Sequence, residues 1–203
     1  MNIVFSRKIV LLSALLMALV VLASNLLVSY PLDITFLGQH YEGWFTYATF
    51  TFPFAFLITD IVNRSFGPRA ARKVVLVGFL TGVLMSLIFG DVRIGIASGA
   101  AFFCSQILDV WLFDRLRYRA LWQAPLLSSF IASFIDTVLF YTLAFAAIFG
   151  LPEGFTGWQQ VALGDFCVKV IMALVLLPLY ILVVTQFLKR YYAAPGFQLH
   201  AAR

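Results

Sequence analysis

FPFAFLITDIVNRSFGPRAARK, residues Phe52 to Lys73, is the stretch on which the rest of the chain turns. It begins as the end of an apolar run, Trp44 to Val62, and carries Asp60 inside that run. Asn63 and Arg64 follow one turn later. The run breaks at Gly67-Pro68 into a basic cluster of Arg69, Arg72 and Lys73. An ionised group in hydrocarbon costs about 2.5–3.5 kcal/mol or more. A chain that keeps one there provides it with a partner, a water-filled cavity or a substrate. The other apolar runs are therefore read for polar residues that could join Asp60.

Composition fixes the class. Of 203 residues, 63% are hydrophobic and 11% are charged, and the mean hydropathy is +0.98. Soluble domains average about 25% charged residues, so this is an all-α integral membrane protein with little soluble mass. The net charge is +5, but the basic residues are scattered through short loops. That pattern sets orientation and does not build the basic face that nucleic acid requires. Cys104 and Cys167 fall in separate apolar runs, without metal-type spacing, and read as buried free thiols.

Six spans are expected, at about 9–29, 44–63, 74–89, 94–113, 125–149 and 161–188, in a single transmembrane domain with a short tail at 191–203. The first could pass for a signal peptide up to Val21-Leu22-Ala23, but its hydrophobicity continues through Val28, which favours a retained helix. Ser24 and Asn25 are its strong polar pair. Tyr30 to Glu42 reads as a loop. Pro53 sits inside the second span, where neighbouring helices can satisfy the carbonyl it frees. Residues 64–73 read as a basic loop, Gly90 to Arg93 as a tight turn and Gly150 to Gln159 as a loop. Ala14/Ala18 and Gly78/Gly82 form small-xxx-small faces, which let helices approach closely; they permit a homodimer without requiring one.

One side of this arrangement collects Arg7, Lys8, Arg64, Arg69, Arg72, Lys73, Arg115, Arg117, Arg119, Lys189, Arg190 and Arg203, and the other has only Arg93. By the positive-inside rule both termini are cytoplasmic. Trp44, Trp122, Tyr191 and Tyr192 sit at expected span ends, where aromatic belts form.

Helical spacing sorts the intramembrane polar residues into four faces, since positions three or four apart are neighbours. These are Asp60/Asn63/Arg64, Gln106/Asp109, Ser129/Ser133/Asp136/Thr137 and Asp165/Lys169. The acids lie at several depths, as a path through a membrane requires. Asp60 with Arg64, and Asp165 with Lys169, are also spaced for purely structural ion pairs, and Asp109 could neutralise the arginines that follow it. Asp136 has no basic residue on its own helix within two turns. It needs Lys169, a proton or a ligand. The serine face serves equally well as helix–helix glue.

Enzyme signatures are missing. There is no H-E-x-x-H, G-x-S-x-G or phosphate loop, and His40 and His200 lie outside the spans. Gly90-Asp91 and Gly164-Asp165 lack the preceding G-x of intramembrane aspartyl proteases. No channel-type filter is evident, and no metal or organic cofactor is implied. A binding-site transporter is the expectation.

Several motifs together resemble a known family. They are Ser24-Asn25, F-P-F-x-F-L-x-T-D at Phe52 to Asp60, S-Q-I-L-D-V at Ser105 to Val110 followed by Asp114-Arg115-Leu116-Arg117, S-x-x-D-T at Ser133 to Thr137, and D-x-C-x-K-V at Asp165 to Val170 with a later L-P-x-Y. In this order, over nearly the whole chain, they are similar to the queuosine precursor transporters, the vitamin uptake transporter family of bacterial inner membranes. The resemblance implies import of 7-cyano- and 7-aminomethyl-7-deazaguanine for salvage into tRNA queuosine. A guanine-like edge offers paired N–H donors to a carboxylate and takes donors from Asn, Gln or Lys, while its ring stacks on aromatics. The expected substrate contacts are Asn25, Asp60, Gln106, Asp109, Ser133, Asp136, Asp165 and Lys169. Two alternatives stand beside this. One is a substrate-binding subunit of an energy-coupling-factor transporter, docking through Ala14 and Ala18. The other is a carrier for a different flat, nucleobase-like solute.

Overall fold

The computed structural model describes residues 3–36, 39–89, 92–145 and 158–192. In chain order they form α1 (Ile3–Leu27), β1 (Pro31–Phe36), β2 (Gln39–Thr46), α2 (Ala48–Thr51), α3 (Pro53–Phe66), α4 (Pro68–Phe89), α5 (Val92–Leu116), α6 (Gln123–Phe145) and α7 (Trp158–Tyr192). The expected Gly90-Asp91 turn, the 150–157 loop, the last residues of the fifth span and the 193–203 tail with His200 lie outside the described residues.

Five helices are long and apolar enough to cross a bilayer: α1, α4, α5, α6 and α7. The second expected span is not a continuous helix. Its first residues, with Trp44 among them, belong to β2. A four-residue helix, α2, follows, and α3 restarts at Pro53. At 14 residues and 1.5 Å of rise per residue, α3 is roughly 21 Å long, short of the ~30 Å hydrocarbon core. Pro53 therefore starts a helix at its first position, where no backbone N–H is needed, and does not bend one.

The expected loop at Tyr30 to Glu42 is instead an antiparallel hairpin. Pro31 pairs with Thr46 and Leu32 with Phe45; after a register shift, Ile34 pairs with Tyr41, Thr35 with His40 and Phe36 with Gln39. PLDITF and QHYEGWFT are rich in β-branched and aromatic residues, which suit a pleated strand. The Tyr47 N–H donates to the Tyr30 carbonyl at 3.2 Å and carries the ladder into α2.

The basic segment at 64–73 is helical on both sides of one residue. α3 ends at Gly67, whose φ of 86° is left-handed and suits glycine at a helix C-terminus. Pro68 then starts α4 at once, so Arg69, Arg72 and Lys73 sit in its first turns. α1 also starts before its expected span, and α5 and α7 overrun theirs at both ends, because polar and basic turns continue a helix past the apolar core.

Close contacts give the helix directions. Gly78 faces Met17 and Gly82 faces Val21, so α1 and α4 run parallel. Thr59 meets Gln106 and Asn63 meets Val110, so α3 and α5 are parallel. Gly95 lies against Ser86 and Gly99 against Phe79, which makes α4 and α5 antiparallel. Ser105 meets Asp136 while Asp109 lies beside Ser128, and Lys169 meets Asp136 while Asp165 meets Thr137, so α6 is antiparallel to α5 and α7. The start of α1, the end of α3, the start of α4 and the end of α5 thus gather at one basic end. Arg93 lies at the other, where its Nε donates to the Leu143 carbonyl at 3.1 Å.

Short α3 is the hub. It touches all five long helices and buries Ala55, Phe56, Ile58, Thr59, Asp60, Val62 and Asn63. Its apolar face packs with Met17, Val21, Val74, Val75 and Phe102. Outward side chains such as Leu12, Leu87 and Val175 are exposed, as lipid-facing residues must be. Both cysteines are free, as expected, but exposed on that outer surface and not buried. In lipid an apolar side chain gains nothing by facing inward, so soluble-protein burial habits do not transfer.

The α4–α5 crossing is tight. A Cβ added at Gly95 would stand 2.7 Å from the Ser86 Cβ. Gly95→Leu should lower stability by about 1–3 kcal/mol, the usual overpacking cost, read as an earlier thermal midpoint in detergent. Ser86→Gly should recover part of the loss.

Candidate functional site

A cavity of about 440 Å³ opens among the helix ends opposite the basic end. Val28 just after α1, Thr46 of β2, Ile94 of α5, Phe145 of α6 and Trp158 of α7 form its rim, and Thr49, Phe52 and Phe102 lie along it. Its aromatic walls include Phe140 and Tyr141, whose rings pack edge-to-face at 5.1 Å. Among these apolar walls converge Asp136, Asp165 and Lys169.

These three groups make one charge cluster. Lys169 Nζ lies 2.8 Å from Asp136 Oδ2 and also pairs with Asp165 Oδ2, four residues back on α7. It reaches Thr137 Oγ1 at 3.2 Å, and Thr137 donates to Asp165 Oδ2 at 3.2 Å. Ser105 of α5 donates to Asp136 Oδ1 at 3.0 Å. One cation against two carboxylates leaves the ionised cluster at net −1. Lys169 and Asp165 are nearly buried, whereas Asp136 keeps 16% of its side chain exposed. Asp136 is thus the member best placed to meet a solute. The Asp165–Lys169 spacing and the need of Asp136 for a partner on another helix were both visible in the sequence.

The remaining expected contacts lie elsewhere. Asn25 turns its amide back onto the Val21 carbonyl at 2.8 Å and lines a small void of about 10 Å³ beside Phe52 and Phe102. Ser133 and Asp60 line a second cavity, about 30 Å³, deeper toward the basic end. Asp60 Oδ2 accepts from Ser129 at 3.2 Å. Asp109 lies beside Asp60 and Ser128 and is fully buried. Gln106 Oε1 is 2.7 Å from the Thr59 hydroxyl.

The intrahelical Asp60–Arg64 ion pair is not formed. Arg64 instead donates from Nε to Tyr180 Oη at 3.0 Å and to the carbonyls of Arg117 and Leu121. Its guanidinium lies 5.2 Å from the centre of the Phe113 ring. Asp109 pairs with no arginine either: Arg117 bridges to Asp114 at 3.1 Å and holds the Asn63 side chain at 2.8 Å. The arginines are long enough to leave their own stretch of chain: Arg64 reaches carbonyls in the connection that follows α5, and Arg117 reaches the Asn63 carbonyl and side chain on α3. Arg64, Arg117, Asn63 and Tyr180 thereby tie α3, α5 and α7 together at the basic end.

Sequence reasoning missed the cavity walls Tyr141, Phe140 and Trp158. Tyr141 carried a signal, since it stands four residues after Thr137 and shares its face. Trp158 carried none.

The sequence profile described as a vitamin uptake transporter matches residues 46–92 and 89–183. The chain belongs to the vitamin uptake transporter family. Among its relatives is the queuosine precursor transporter of Escherichia coli strain K12, 34% identical over 196 residues and 85% of each chain. A protein of Haemophilus influenzae named "probable queuosine precursor transporter" is 32% identical over 201 residues, 84% of each chain. A Bacillus subtilis protein of the same name is 29% identical over 151 residues, 61% of this chain and 64% of its own. No solved structure gives a significant match. Family membership and five crossing-length helices together make this a multi-pass membrane protein.

Proposed function

We propose that the protein imports queuosine precursors, 7-cyano- and 7-aminomethyl-7-deazaguanine, across the bacterial inner membrane. The observation that carries this reading is the net-negative Asp136–Lys169–Asp165 cluster inside an aromatic cavity of 440 Å³. Small-molecule sites typically measure about 300–1,000 Å³ and place few polar groups among apolar walls. A deazaguanine presents adjacent N–H donors, which Asp136 can accept, and a carbonyl, which Lys169 can meet. Phe140, Tyr141 and Trp158 supply surfaces for the ring. The aminomethyl form adds a cation, which suits a cluster one negative charge in excess. The names of the relatives point to the same cargo.

In this reading the basic end is cytoplasmic and both termini lie there. The hairpin, α2 and α3 together make one of six crossings in a single domain, and the cavity faces outward. The protein acts as a carrier, not as an enzyme. The coupled-subunit alternative is less well supported. Ala14 is packed inside the chain's own core and Ala18 is half-buried, so little of that face remains for docking. Gly78 and Gly82 are likewise occupied by Met17 and Val21 of the same chain, so they offer no obvious homodimer face.

The test is queuosine in tRNA. A strain that cannot make the precursor and lacks its own importer is given this chain and a low external supply of base. Restored queuosine is expected. Unmodified tRNA, with the protein present in the membrane, would overturn the assignment.

A further inference from the structure

Beneath the cavity lies a second polar site that the cargo does not need. The carboxyl groups of Asp60 on α3 and Asp109 on α5 face each other in the middle of the bundle, 3% and 0% exposed. Among the described residues no donor is placed against Asp60 Oδ1 or either oxygen of Asp109. Among the described residues no cation lies within ion-pair distance of them. Ser128, beside Asp109, donates to the Pro125 carbonyl at 3.4 Å instead.

The elements packed around the pair bring Arg64 and Lys169 into its neighbourhood but seat neither cation against its carboxyl groups. α3 brings Arg64, but its guanidinium is turned away to Tyr180 and the end of α5. α5 brings Gln106, whose Nε2 is buried and unpartnered. α6 brings only the Ser128 and Ser129 hydroxyls. α7 brings Lys169 and Tyr180 to the wall of the 30 Å³ cavity that Asp60 lines. α1 and α4 offer apolar side chains, Met17, Val74 and Val75.

Two carboxylates in contact at low dielectric repel, and one proton held between them removes the repulsion and supplies the missing donor. The 30 Å³ cavity beside Asp60 has room for about one water. Lys169 lines this cavity and also the 440 Å³ cavity above it.

We propose that Asp60 and Asp109 form a proton-binding site, separate from the cargo site, that drives uptake through the shared wall at Lys169. This rests on the importer reading for its cargo. One O–H bond forms on a carboxylate of the pair as a proton arrives from external water, and it breaks on release to water at the basic end. No other bond changes. Bound cargo alters the hold of Asp136 on Lys169. That changes the positive charge which the inner cavity feels, and with it the affinity of the pair for the proton, a reciprocal linkage.

Purified protein in liposomes, with radiolabelled 7-cyano-7-deazaguanine, tests the coupling. One pH unit, acid outside, can sustain about tenfold accumulation for one proton per cargo. The wild type should approach that ratio and lose it with a protonophore. Asp60→Asn and Asp109→Asn should bring it to unity while still exchanging labelled for unlabelled base. Accumulation by either variant equal to the wild type, accumulation insensitive to the protonophore, or accumulation driven by sodium would overturn the proposal. A second measurement needs no cargo. Infrared spectra of the purified protein over a pH titration should show a buried protonated-carboxyl band that both variants lose. A titration without that band overturns the proton site even where the base itself proves not to be the cargo.

Discussion

Asp136→Asn is expected to cut uptake about 30-fold or more, while the protein still inserts and folds. Asparagine keeps the shape of the side chain and still accepts from Ser105, which donates to Oδ1 at 3.0 Å. What it loses is the charge. Lys169 would then be balanced by Asp165 alone, and the excess negative charge that receives the ligand would vanish. Truncating or neutralising one partner of a buried charge pair commonly costs about 2 kcal/mol or more in binding, and about 1.4 kcal/mol is tenfold. The loss should appear as weaker binding of the base to purified protein, with an unchanged thermal midpoint. Binding within a few-fold of the wild type would remove Asp136 from the cargo site.

Lys169→Met should produce the largest structural effect. It leaves Asp136 and Asp165 facing one another across Thr137 with no cation between them. Breaking a buried pair from one side typically costs about 3–5 kcal/mol. The variant should unfold many degrees earlier or fail to accumulate in the membrane. Lys169→Met combined with Asp136→Asn and Asp165→Asn removes all three charges. It should recover much of the stability, since the penalty is an uncompensated charge and not a lost contact. It should not recover transport. A single Lys169→Met protein as stable as the wild type would mean that the cluster is wetter and more open than its 6% exposure implies.

The membrane class and five of the helices could be read directly, because a predominantly apolar run of ~20 residues with one or two charges matches the thickness of a bilayer and is too long for a soluble core. The charge cluster at Lys169 was nearly legible. Asp165 and Lys169 share a face by spacing, and Asp136 lacked a cation on its own helix. The hairpin was hidden for a different reason. Averaging hydropathy over a window as long as a span erases short strands, so the end of β2 merges with the expected second span and the rest of the hairpin reads as a loop. Pro53 could bend a helix or begin one, and only the packing of α3 against five neighbours decides. Asp60 and Arg64 have ion-pair spacing, yet spacing does not say what else is in reach. Tyr180 and two carbonyls of the connection after α5 hold the arginine. Asp60 was left to Ser129 and Asp109, a pairing between two helices that no single-helix periodicity could reveal.

The shortness of α3 has an electrical consequence. In an ordinary bundle the transmembrane voltage drops over the full hydrocarbon thickness. Here the 440 Å³ cavity reaches down from the rim to Phe52, Asp136 and Lys169. Once it fills with water, the solution on that side extends to that depth, and the insulating layer is only what lies between there and the basic end. The voltage is then concentrated across α3. A unit charge crossing the whole potential gains about 2.3 kcal/mol per 100 mV. About half of that would be delivered in the step between the cluster at Lys169 and the carboxyl pair midway along α3, so a modest rearrangement around a short helix could tap a large part of the membrane potential.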